Sequence, residues 1–88
     1  MTFTGMDVAA VRQMATQMET TANDISQQMN RLTTTLQGTD WKGPDANAFR
    51  EEWNGSHTTS LKAVVDALNE VCRKARANAD AQETTSAS

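Results

Sequence analysis

The sequence predicts an all-α fold, an antiparallel two-helix hairpin closed by a Trp-x-Gly turn. Three observations carry it. Apolar side chains recur at helical spacing through two long segments, a short run rich in Gly and Pro interrupts them once, and 88 residues make one small domain at most. Aromatic residues are only 5% of the chain, so the predicted core is aliphatic and Met-based.

The first helix is expected over about residues 7–37. Its apolar side chains fall at Val11, Met14, Met18, Ala22, Ile25, Met29, Leu32 and Leu36, in steps of 3, 4, 4, 3, 4, 3 and 4. That spacing draws one narrow stripe along a helix. At 1.5 Å per residue, such a helix is about 45 Å long.

The turn is expected over residues 38–44, Gly-Thr-Asp-Trp-Lys-Gly-Pro. Gly38 suits the position just past a helix C-terminus, where positive φ is common. Gly43-Pro44 suits a helix start, because the missing proline N–H would be unpaired there anyway. Asp45 complements the positive end of the helix dipole. Trp41 stands between these signals, ahead of Phe49 and Trp53. It has two readings: an indole that closes the hairpin end, or an exposed aromatic recognition surface.

The second helix is expected over about residues 45–80, with Phe49, Trp53, Leu61, Val64, Val65, Leu68, Val71, Cys72 and Ala75 along its seam. The seam is weakest from Gly55 to Ser60, which holds no apolar residue. Residues 1–80 then form the hairpin domain, and the small polar residues 81–88 a flexible C-terminal tail. Two helices sharing one stripe hide too little apolar surface to stand alone, and Thr20, Thr21 and Thr33-Thr34-Thr35 are mediocre helix formers. Dimerisation into a four-helix bundle supplies the missing burial.

Other function classes find little support. A net charge of −3, with 8 basic against 11 acidic residues, argues against nucleic acid. The one Cys and one His offer neither an intramolecular disulfide nor a metal-ligand cluster, and no cofactor motif is present. Cys72 reads as a small buried hydrophobe, with a cross-dimer disulfide as the other reading. His57 reads as an exposed helix residue. Asp45, Glu51 and Glu52 read as a solvated face at a helix start, since no base or pocket accompanies them. No nucleophile–base pair or phosphate loop points to an enzyme. The N-terminal residues lack the basic and apolar regions of a signal peptide, and no apolar run has membrane-spanning length.

Two long helices around Trp41-Lys42-Gly43, followed by Phe49 and Trp53, resemble the WXG-motif family of ESAT-like (early secreted antigenic target) proteins. The resemblance covers the whole chain. It implies a helical hairpin that dimerises with itself or a paralogue. It also implies export by a type VII (ESX-like) secretion system without a cleaved signal peptide, from a cytoplasmic pool. A membrane ATPase of the FtsK type is expected to recognise the C-terminal region. Many members carry Tyr-x-x-x-Asp/Glu after the second helix, and this chain has no Tyr. Its nearest equivalents are Arg76 with Asp80 and Ala79 with Glu83, so a partner subunit is expected to supply the aromatic signal unless another tail feature is read. The competing expectation is an intracellular coiled-coil adaptor or targeting chaperone for a larger helical effector.

Overall fold

The computed structural model describes residues 6–87, which hold helices and short connections and no strand. Helix α1 spans Val8–Gly38, α2 spans Pro44–Glu52, and α3 spans Thr58–Ala87; a five-residue π-helical turn, Trp53–His57, joins α2 to α3. The last three run on without a break and form one arm, which lies antiparallel to α1. The hairpin is a rod of 65 × 17 × 14 Å with a radius of gyration of 19.5 Å. A compact domain of this length would have a radius of roughly 12 Å. The rod therefore keeps much of its surface in water.

Each helix start has a local cause. Asp7, in extended backbone, caps α1 by accepting from the Ala10 N–H through Oδ1 at 3.0 Å. Gly43 caps α2 at φ 116°, a left-handed value that L side chains rarely adopt, and Pro44 follows in the first turn. The left-handed residue expected at Gly38 is not found. Gly38 is the last residue of α1, and Thr39 after it is extended (φ −89°). Side chains satisfy the terminal carbonyls instead: Thr39 Oγ1 donates to Thr35 O at 2.6 Å, and Arg50 Nε to Leu36 O at 3.0 Å.

The seam between the arms has a stricter period than the apolar pattern alone suggests. On α1 it runs through Val8, Val11, Ala15, Met18, Ala22, Ile25, Met29, Leu32 and Leu36, in alternating steps of 3 and 4. On α3 the same alternation links Thr58, Leu61, Val65, Leu68, Cys72, Ala75, Ala79 and Gln82. Ala15, Ala22 and Ala79 are fully buried, Met29, Thr58, Cys72 and Ala75 nearly so, and among the described residues no large side chain is fully buried. Small side chains on both arms let the helices approach closely.

The π turn explains the weak stretch after Trp53. Trp53 and Leu61 are eight residues apart, which at about 100° per residue would leave Leu61 roughly 80° off the Trp53 face in a regular helix. The Thr58 N–H reaches back to Trp53 O, so one extra residue is absorbed in that turn. Thr58 rather than His57 then meets α1, and Leu61 falls back into phase.

Three residues expected on the seam leave the intrachain contact, and a fourth, Leu32, is exposed within it. Met14, Leu32, Val64 and Val71 are between 40% and 47% exposed. Ala15 replaces Met14, and of the expected neighbours Val64-Val65 and Val71-Cys72 only Val65 and Cys72 stay on the seam, because the alternating period selects one of each pair. Leu32 keeps its place in the period but sits on the rim. The helix boundary expected at Asp80 is also displaced: α3 continues to Ala87. Arg12 on α1 holds Asp80 and Glu83 across the arms and ties that segment down.

Candidate functional site

The molecule offers three surfaces with distinct chemistry: the turn end, one ionic flank, and one apolar flank opposite it.

At the turn end, α2 presents Phe49, and the π turn presents Trp53, one helical turn on, and His57. Ring centroids lie 6.2 Å apart for Trp41 and Phe49, 6.4 Å for Phe49 and Trp53, and 6.3 Å for Trp53 and His57. These separations suit offset aromatic contact. Arg50 locks the loop. Besides Leu36 O, its guanidinium donates to Trp41 O at 2.7 Å and Thr39 O at 3.0 Å, and lies 5.7 Å from the Trp41 ring centroid. The Trp53 indole N–H donates to Thr33 Oγ1 at 2.8 Å, and that hydroxyl donates to Met29 O at 2.8 Å. Trp53 is therefore a half-buried strut between the arms. Trp41 is half-exposed, resting on Phe49 and under Arg50 while showing part of its ring to solvent. It sits at the closed end of the hairpin and stays reachable from outside, so its geometry is compatible with either expected role.

The ionic flank follows from residues four positions after seam residues. Arg12 and Glu19 follow Val8 and Ala15, and Arg76 and Glu83 follow Cys72 and Ala79. Arg12 grips Glu83 through two hydrogen bonds of 3.0 and 3.1 Å and reaches Asp80 at 2.7 Å. Arg76 bonds both Glu19 oxygens at 3.3 and 3.4 Å. The arginine hydrogen bonds hold the Glu83 and Glu19 carboxyls below the usual carboxylate range. Within α3, Glu70 is paired with Arg73 and is lowered in the same way. Of the residues expected to carry an export signal, Ala79 is fully buried against α1, and Arg76, Asp80 and Glu83 are engaged in these pairs.

The apolar flank lies on the other side. Met14, Val64 and Val71 each stand one position before a seam residue, which turns them away from the ionic pairs. Leu32 joins them. An open groove of about 580 Å³ is lined here by Ile25, Met29, Leu32, Trp53 and Leu61, with Asp24 and Arg31 on its border. Val11, Met18, Leu36 and Leu68 are half-buried along the same seam. Cys72 is a free thiol buried against Ala15 and Ala75.

Among the described residues no group of three His, Cys, Asp or Glu could hold a metal ion, and no helix is long and apolar enough to cross a membrane. Sequence reasoning missed Arg12, Glu19, Thr33 and Arg50. The first two were legible as opposite charges beside a seam period, whereas nothing along the chain points Arg50 at three carbonyls.

The family model of WXG100, described as proteins of 100 residues with WXG, matches residues 4–86. No curated protein and no solved structure shows significant similarity to the chain.

Proposed function

Since this chain belongs to the WXG100 family, we propose that it is a small helical cargo of a type VII secretion system, exported as a dimer after recognition by a membrane ATPase. The family match over nearly the whole chain is the observation that carries this reading. The physical requirements agree with it. A rod with exposed Met14, Leu32, Val64 and Val71 along one flank needs a partner to cover them, and a four-helix bundle with a copy of itself or a paralogue does so.

Recognition is proposed at the C-terminal end of α3. Arg76, Asp80 and Glu83 all bond to α1, and no Tyr is available as an anchor. An aromatic side chain filling a pocket contributes about 1–3 kcal/mol. Export therefore depends on a co-expressed partner whose own tail carries that aromatic. The test is secretion of this chain in a type VII host lacking every paralogue, beside the same strain with the paralogue restored. Export only in the second strain supports the reading. Full export in the first shows that this tail suffices and overturns the partner-supplied signal.

A further inference from the structure

We infer that Arg12 is a latch: by holding Asp80 and Glu83 on α1, it keeps this chain's C-terminal segment, residues 77–87, from being read by the secretion ATPase. The inference rests on the proposed recognition at the end of α3 and adds how that recognition is controlled.

The residues after Asp80 have little local reason to stay helical, since Thr84, Thr85 and Ser86 are mediocre helix formers. Yet α3 continues to Ala87, so contacts with α1 hold it. On one flank, the Arg12 guanidinium donates to Glu83 at 3.0 and 3.1 Å and to Asp80 at 2.7 Å. A planar fork gripping two carboxylates fixes both the height and the rotation of the helix. On the other flank half-buried Met6, just ahead of α1, shares a groove of about 380 Å³ with Asn78, Ala81, Gln82 and Thr85. Between the two flanks Ala79 is fully buried. The pairs Arg12–Glu83 and Glu19–Arg76 set the relative height of the arms. By that measure Val8, the first residue of α1, stands level with the last turn of α3. The segment is covered along one whole face.

The face left outside carries no anchor. Between Arg73 and Thr85 the exposed apolar side chains are two alanines, Ala77 and Ala81. A helix docks in a groove through apolar residues three and four apart. Here that spacing belongs to Cys72, Ala75, Ala79 and Gln82, which face α1. Asp80 and Glu83 would suit a basic partner, but Arg12 already occupies both. Reading this segment therefore requires it to leave α1, and that breaks both pairs with Arg12. The Arg12 side chain is 38% exposed, so the latch is reversible and within reach of water and salt. A ligand that takes only the open form binds more weakly in proportion to the closed population. A low open fraction here leaves the partner's aromatic tail as the one that is read.

The experiment first measures amide exchange over residues 77–87 in the full chain and in Arg12→Ala, Glu83→Gln and Arg73→Ala. The first two substitutions should raise exchange at least about threefold. Arg73→Ala, which removes a pair within α3 alone, should not. Binding to the soluble ATPase domains of the type VII host is then compared for Arg76→Tyr with and without Arg12→Ala. That tyrosine stands four residues before Asp80 and supplies the aromatic this chain lacks. Adding Arg12→Ala should tighten binding by the factor its exchange rises in the same background, because both report one opening equilibrium. Exchange unchanged in both Arg12→Ala and Glu83→Gln would overturn the latch. Faster exchange without tighter binding would show that the segment is read in place on α1, and would overturn the masking while the recognition site stands. If neither tyrosine variant binds but the wild type paired with its paralogue does, this chain's segment is not a recognition element and the latch falls alone. If the paired wild type does not bind either, the proposed recognition itself fails.

Discussion

At the residue scale, the turn is fixed by Arg50 at least as firmly as by the Trp-x-Gly motif. One guanidinium satisfies three carbonyls that the end of α1 and the loop would otherwise leave to water. Arg50→Ala should therefore cost about 2 kcal/mol, in the range of hydrogen bonds made by charged groups. Gly43→Ala meets no steric obstacle but forces alanine into φ 116°, at a cost of about 1–2 kcal/mol. Trp41→Ala should cost less than a fully buried aromatic would, about 1–2 kcal/mol, because the ring is half in solvent. Thermal melts of the three variants check the order. If Trp41→Ala melts like the wild type yet is not exported, the indole acts as a recognition surface.

At the element scale, the π turn and the ionic flank make separate predictions. Deleting Gly55 removes the extra residue, so Trp53 and Leu61 fall seven apart and a regular helix keeps both on one face. That variant should stay folded, with a melting temperature equal to or above that of the wild type. Deleting Ala63 instead rotates everything beyond it by about 100° and should lose several kcal/mol as Val65 and Cys72 leave the seam. Equal melting of the two deletions would show that the seam phase does not control stability.

The open end of the hairpin should respond to pH. Glu19 and Glu83 titrate below their ordinary range because arginines bond the carboxylate form. A depressed carboxyl contributes stability that is complete above its unfolded value and fades as pH falls through the lower folded one. The ends of α1 and α3 should therefore loosen in strong acid, while the turn locked by Arg50 and Trp53 holds. These are exposed pairs, so high salt should weaken them as well. Amide exchange compared near Arg12 and near Arg50 reads the difference. Equal loosening at both ends would remove the ionic pairs as its cause.

For the whole molecule, two leucines that look alike in sequence should behave differently. Leu68 is half-buried between the arms, whereas Leu32 is 40% exposed on the flank. Leu68→Asp places a charge in the hairpin seam and should abolish helicity and association together. Leu32→Asp should leave a helical chain whose association is weakened at least about tenfold. Circular dichroism beside sedimentation separates them. Loss of helix in both would mean that the hairpin cannot form without its partner.

The sequence by itself determined the hairpin, its turn, both ends of α1 and the start of the second arm. Those features follow from local causes that a linear reading contains: a 3–4 apolar period, Gly43-Pro44 at a helix start, and too few apolar residues for a larger core. It also placed Ala22, Ile25, Met29, Leu61 and Leu68 on the seam. Tertiary structure alone decided which of two adjacent apolar residues faces inward. Ala15 wins over Met14 and Cys72 over Val71 because the arms pack closely on small side chains, a preference that hydrophobicity does not express. It decided that one π turn rephases α2 with α3, and that α3 continues past Asp80 under the grip of Arg12. It also decided that Arg50 closes α1 in place of a left-handed Gly38. Each of these depends on groups far apart in the chain reaching one place, and pairings of that kind leave no periodic trace along a single sequence.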